Sequence, residues 1–203
     1  QYNGLRSPWV LEDIDLAIPQ GKTTAIVGVS GSGKTTLIKL LLGFYPPTKG
    51  EIRVGEYLLE GLQGRLWRQN CGVVMQDGYI FSDTIAQNIS ISEEKINKSK
   101  LIQAVRVANI QEYVEALPLG YNTVIGMEGH GLSAGQKQRL LIARAVYKDP
   151  QYIFFDEATN ALDANNERII IDNLRQFFHG RTVVIVAHRL STVKDADNIV
   201  VLE

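Results

Sequence analysis

A single cysteine, Cys71, stands in 203 residues, so no disulfide can form within the chain. That excludes a small cross-linked secreted scaffold and fits a reducing setting. Long apolar runs are missing too, and none approaches the roughly 18 residues that a membrane span needs. The start, Gln1-Tyr2-Asn3-Gly4, lacks the basic stretch and apolar stretch of a secretory leader. Neither sign of charge is in excess: 21 Lys and Arg stand against 22 Asp and Glu, for a net charge of −1. Such a balance implies no basic face, and nucleic acid is not an expected partner. Repeats and low-complexity tracts are also lacking. A start at Gln1 in place of Met, and an end in the strand-like Val200-Val201-Leu202-Glu203, are expected of a segment of a longer chain.

What is present reads as one globular domain, 45% hydrophobic and 21% charged, long enough to bury a substantial core. Short β-branched runs bounded by glycine or charge predict buried strands at Thr24–Val27, Gly72–Met75, Tyr152–Phe155 and Thr182–Val186. Helical spacing predicts helices over Lys34–Leu42 and Asn166–Phe178, the second with Ile169, Ile170, Leu174 and Phe177 on its apolar face. Strands alternating with helices imply an α/β fold, a largely parallel sheet flanked by helices. From about Ser82 to Tyr147 strand signals are few, while Ala104, Val105, Ala108 and Ile110 keep helical spacing. That stretch predicts an inserted helical subdomain, with a turn at Gly120-Tyr121. The expected division is a catalytic core of residues 1–76 and 148–203 around a helical part, 77–147.

Gly28-Val29-Ser30-Gly31-Ser32-Gly33-Lys34-Thr35 fits G-x-x-x-x-G-K-[ST] between a predicted strand and a predicted helix. The glycines let the backbone curl so that several N–H groups face phosphate oxygens. Lys34 supplies a point charge, the Thr35 hydroxyl a ligand for Mg²⁺, and the helix start a positive dipole end. The loop alone says nucleotide phosphate; kinase, GTPase and transport motor all remain open.

Tyr152–Phe155 runs directly into Asp156-Glu157. A buried strand ending in two carboxylates sets them at the sheet edge where α/β folds bind ligands. Strand alternation points them in different directions and so predicts different tasks. Asp156 is placed to hold Mg²⁺, and Glu157 to polarise an attacking water.

Leu132-Ser133-Ala134-Gly135-Gln136-Lys137-Gln138-Arg139 resembles the LSGGQ signature of the ATP-binding cassette family, with Ala134 in place of the first glycine of the pair. Ser133 and Gly135 at a helix start offer a hydroxyl and open N–H groups to an anion. The resemblance spans essentially the whole chain. It implies a P-loop NTPase core with an N-terminal antiparallel β part and an inserted α-helical subdomain. It also implies that Ser133, Gly135 and Gln136 reach the γ-phosphate bound by a second copy, while Gly28, Ser30 to Thr35 and Thr36 hold the nucleotide in the first. Gln76 resembles the glutamine that senses Mg²⁺ and water, and His188 the switch histidine at the γ-phosphate. Tyr2 resembles the aromatic stacked on adenine, near the Val10-Leu11 pair. Asn160-Ala161-Leu162-Asp163 resembles the loop that communicates across the dimer, with Asn160 where serine is commoner.

Thr123–Gly129 resembles the exporter loop that touches transmembrane coupling helices, with Met127 where Glu is usual and Glu128 following, and Phe81–Ile89 also resembles an exporter segment. Exporters of bacterial peptides look most similar. The resemblance therefore implies an ATPase that uses ATP and Mg²⁺, works as a head-to-tail homodimer, and joins a transmembrane domain at the cytoplasmic face of a membrane. A P-loop kinase or GTPase would not need the signature, and no N-K-x-D guanine motif is present. Repair and translation cassettes carry long coiled-coil insertions or two cassettes, and neither appears in the sequence. A regulatory module that had lost catalysis would lack Glu157 or His188.

Overall fold

The computed structural model describes residues 9–91, 93, 95–127, 129, 131–187 and 193–203. In chain order the elements are β1 (Thr23–Gly28), α1 (Lys34–Leu41), β2 (Arg53–Val54), β3 (Tyr57–Leu58), α2 (Gly64–Gln69), β4 (Cys71–Val74), β5 (Asp83–Thr84), α3 (Ile85–Ser90), α4 (Lys98–Val107) and α5 (Gln111–Glu115). They continue with β6 (Val124–Ile125), α6 (Ala134–Tyr147), β7 (Tyr152–Asp156), α7 (Ala164–Phe178), β8 (Thr182–Val186) and β9 (Asn198–Leu202). The chain divides into two compact units: Gln1–Cys71, Gln151–Asp156 and Arg181–Glu203 form the first, Gly72–Pro150 and Glu157–Gly180 the second.

In the first unit four strands run parallel in the order β7-β8-β1-β9. Their β-branched and aromatic side chains are buried, Ala25, Ile26, Ile153, Val183 and Val184 among them, as expected of a sheet covered on both faces. The register sets the site. Val186 lies opposite Ile26 on one side and Asp156 on the other. Asp156 therefore stands level with β1 two residues before its loop begins, two inter-strand spacings away, or roughly 10 Å. Helix α1 packs Leu37 and Ile38 inward and stops at Gly43, whose φ is +67°. The N–H of Phe44 returns to the Lys39 carbonyl at 3.0 Å and that of Gly43 to Leu40 at 2.9 Å, a left-handed stop that closes the open carbonyls. Trp67 anchors α2 by donating from Nε1 to the Leu41 carbonyl at 3.0 Å.

The second unit is largely helical, with Ile89, Val105, Val114, Leu140, Ile142 and Ile170 buried. Each longer helix begins on a side-chain cap: Asn97 for α4, Ser133 for α6 and Asp163 for α7. Helix α7 is tied into this unit by Asn173, which donates to the Val107 carbonyl at 3.2 Å, and by the Asn109–Asn166 side-chain bond at 2.8 Å.

The structure adds one element that the sequence conceals. β5 and β6 pair antiparallel, Asp83 with Ile125 and Thr84 with Val124, and two-residue strands are too short to show alternation. Among the described residues, the antiparallel part near the N-terminus is the equally short pair β2–β3. No helix of the described residues is long and apolar enough to cross a membrane.

Candidate active site

The loop from Gly28 to Thr35 connects β1 to α1, and two of its glycines are closely approached. A Cβ on Gly28 would stand 2.2 Å from the Leu202 carbonyl oxygen and 2.8 Å from Ser32 Oγ. At Gly33 it would stand 2.7 Å from Leu11 Cδ2, and φ there is +94°. Gly31, also left-handed at φ +84°, has open space around it. Gly33 is the N-cap of α1 and uses no side chain, so the first N–H groups of the helix remain available to an anion. Lys34 is 5% exposed. Its ammonium donates to the Gly28 and Val29 carbonyls at 2.9 and 2.8 Å and to Ser32 Oγ at 3.5 Å, which holds the charge inside the curl. Ser30 is exposed at the rim, while Thr35 and Thr36 begin α1 half-buried. A cavity of about 520 Å³ adjoins this helix, with Val10, Leu11, Thr36 and Leu37 in its lining.

β7 delivers Asp156, 1% exposed, to the same edge of the first unit. The strand ends there. Glu157 leaves it with φ +54°, a left-handed conformation that costs an L-residue other than glycine roughly 1–2 kcal/mol. Glu157 therefore does not continue the extended backbone of β7. A non-glycine residue in this region marks a place where surrounding contacts override local preference. In the second unit those contacts are visible. The Glu157 carbonyl accepts from Gln138 Nε2 at 3.0 Å and from the Asn160 N–H at 3.2 Å. Its carboxylate accepts from Asn160 Nδ2.

Ser133 caps α6 reciprocally with Gln136. Ser133 Oγ accepts from the Gln136 N–H at 3.2 Å, and Gln136 Oε1 accepts from the Ser133 N–H at 2.8 Å. This capping box uses one lone pair of the Ser133 hydroxyl, and Ser133 itself stays exposed. Ala134, the departure from the signature, is exposed. Gly135 has a packing reason of its own, since a Cβ there would lie 3.2 Å from the Ala161 carbonyl oxygen.

Asp163 ends the following loop and caps α7, accepting from the Asn165 and Asn166 N–H groups and from Asn166 Nδ2. The bonds from the Asn166 side chain and N–H hold its carboxyl below the usual range. Gln76 lies exposed just past β4. Tyr2, His188 and Glu128 lie outside the described residues.

Two features escape the sequence reading. Gln138 shares a helical stripe with buried Leu141, Ile142 and Ala145, and a polar residue in an apolar stripe is the signal that could have exposed it. Asn88, 1% exposed, is the second. It donates to the Phe81, Asp83 and Thr84 carbonyls at 2.9, 3.2 and 3.1 Å and accepts from the Phe81 N–H at 2.8 Å. Arg144 braces the same segment, donating to the Asn88 and Tyr79 carbonyls, both at 2.8 Å. Burial pulls its pKa down to about 10. Replacing Asn88 with Ala is expected to lower the thermal midpoint by roughly 5–15 °C, because several buried main-chain groups lose their partner. Thermal unfolding followed by circular dichroism measures this, and a shift under 2 °C would show that water replaces the amide freely.

A family model described as ABC transporter matches residues 11–160. The chain is 44% identical over 197 residues to a toxin RTX-III translocation ATP-binding protein of Actinobacillus pleuropneumoniae. It is 45% identical over the same length to the alpha-hemolysin translocation ATP-binding protein HlyB of Escherichia coli O6:H1. Both alignments cover 97% of this chain and 28% of the relative, so the chain spans under a third of their length. The solved structure of a bacterial Atm1-family ABC exporter with ATP bound superimposes with a TM-score of 0.93 at 37% identity, covering 100% of this chain and 35% of that one.

Proposed function

Since this chain belongs to the ABC transporter family, as a nucleotide-binding domain of the exporter type, we propose that it binds and hydrolyses ATP to drive export of a peptide or protein across a membrane. The observation that carries this reading is the loop whose Gly28 admits no Cβ and whose Gly33 holds φ +94°, set on the N-terminus of α1 with Lys34 buried in its curl. Such a loop cradles phosphate oxygens through main-chain N–H groups.

In this reading Gly28 to Thr36 hold the triphosphate, and the adenine lies against Val10 and Leu11 with Tyr2 stacked on it. Thr35, Asp156 and Gln76 offer a hydroxyl, a carboxylate and an amide oxygen, a hard-oxygen set suited to Mg²⁺. When bound there, the ion offsets charge on the β- and γ-phosphates. Glu157 orients water for in-line attack, while Lys34 and His188 stabilise the charge that develops. Ser133, Gly135 and Gln136 of a second copy close over the γ-phosphate. Their exposed, capped helix start supports that role.

Exposed apolar side chains at Tyr79, Phe81, Val124 and Met127 in the second unit support contact with a transmembrane domain on the cytoplasmic side. In that role Gly126 would be constrained, since a Cβ there would stand 2.9 Å from the Phe81 carbonyl oxygen.

Sedimentation of the Glu157→Gln variant with Mg²⁺ tests the assembly. A dimer with ATP and a monomer with ADP is the expected result. A monomer with both nucleotides, with ATP binding confirmed, would overturn a self-sufficient dimer. Introducing Ala134→Gly would then show whether the altered signature is responsible.

A further inference from the structure

We propose that Gln138 is a positioning residue for Glu157, fixing the main chain from which the carboxylate projects. The inference rests on the reading of Glu157 as the group that orients the attacking water.

Gln138 lies in the second turn of α6 and is 8% exposed. Its amide donates one bond and accepts another, and both go to one loop. Nε2 donates to the Glu157 carbonyl at 3.0 Å, and Oε1 accepts from the Ala161 N–H at 2.9 Å. One planar group thus grips the first and fifth residues of the segment 157–161. Inside that grip the Asn160 N–H returns to the Glu157 carbonyl at 3.2 Å and the Leu162 N–H to Thr159 at 3.0 Å. Glu157 holds φ +54°, a conformation that persists only where neighbouring contacts over-determine it. Gln138 is a side-chain contact that fastens its main chain.

Position 135 meets the same loop. Positions 135 and 138 are three apart and share a helix face, and a Cβ at 135 would crowd the Ala161 carbonyl oxygen at 3.2 Å. The face of α6 that follows the Ser133 cap is therefore the bed on which Glu157 is set. A shift of this helix moves the carbonyl of Glu157 with it.

Only glutamine carries a donor and an acceptor at this reach. Glutamate keeps an acceptor for the Ala161 N–H and loses the donor to Glu157, methionine keeps the volume and loses both, and asparagine is one methylene short.

The test measures ATP hydrolysis by the assembled transporter for Gln138→Met, Gln138→Glu, Glu157→Gln and the Gln138→Met/Glu157→Gln double variant. ATP binding and the thermal midpoint are followed in parallel. The expected result is a fall in kcat of about 10- to 100-fold for both Gln138 variants, the scale of misplacing a reacting group, with KM for ATP within about twofold. In the Glu157→Gln background Gln138→Met should add less than about twofold, because a residue that acts through another has nothing left to act on. Wild-type kcat in Gln138→Glu would overturn the proposal, since the bond to Glu157 would be dispensable. So would a further loss in the double variant equal to that of Gln138→Met alone, the behaviour of a general packing defect. If Glu157→Gln itself hydrolyses ATP at the wild-type rate, the reading of Glu157 fails, and the proposal falls with it. Loss in Glu157→Gln with full activity in both Gln138 variants removes only the proposal.

Discussion

Glu157→Gln should lower steady-state ATP hydrolysis by about 100-fold or more, the range in which a positioned general base contributes, while KM for ATP changes by less than about threefold. The structure explains why the effect should be confined to chemistry. The left-handed backbone of Glu157 is fastened through its carbonyl by Gln138 and the Asn160 N–H, and neither bond depends on the carboxylate. Asn160 Nδ2, which donates to that carboxylate, finds the same acceptor geometry in a glutamine carbonyl. The variant should therefore keep its fold, its thermal midpoint and its ATP affinity, and lose the proton acceptor alone. Single-turnover measurements with bound ATP isolate that step. Retention of more than a third of the wild-type rate would assign the water to another group.

Gly28→Ala should abolish measurable ATP binding and lower stability at the same time. The added methyl would stand 2.2 Å from the Leu202 carbonyl oxygen, and that oxygen belongs to the strand paired with Gly28 itself. Backbone on both sides has to move, and the Gly28 carbonyl that holds the Lys34 ammonium at 2.9 Å moves with it. Overpacking of this kind costs typically about 1–3 kcal/mol, and the displaced cradle loses its register with the phosphates. Gly31→Ala is the control. Nothing lies within 4 Å of its Cβ position, and only its φ of +84° opposes the change. Its penalty should be roughly 1 kcal/mol. Titration calorimetry with ATP and thermal unfolding of both variants measure the contrast. Equal affinities for the two variants would show that the loop adapts and that the tight approach of β9 to Gly28 is not decisive.

Much of the fold is legible in the linear pattern because its signals are local. β-branched runs at Thr23–Gly28 and Thr182–Val186, and apolar spacing along α7, depend on residues a few positions apart and on burial of one face. The phosphate loop is legible for the same reason, since eight consecutive residues carry its turns and its charge. The pair β5–β6 was hidden because its partners lie 40 residues apart in sequence, at Thr84 and Val124, and each strand is too short to alternate. Asn88 and Gln138 were hidden for a related reason. Their partners are mostly main-chain carbonyls and N–H groups, which every residue possesses and no sequence displays.

The sequence by itself determined the parallel α/β core, the phosphate loop, the adjacent carboxylates and the signature with its Ala134. Each is a choice of residue type at fixed short spacing, and such choices survive without knowledge of the fold. Tertiary structure alone decided how those parts are held. It set Asp156 level with Ile26 across β8, turned Glu157 into the left-handed region, and fastened it to α6 through Gln138. It also denied Gly28 a side chain, and left Gly135 little room for one, by bringing distant main chain against them. These are contacts between segments far apart in the chain, where the outcome depends on backbone geometry after packing, and the identities of the residues alone do not contain it.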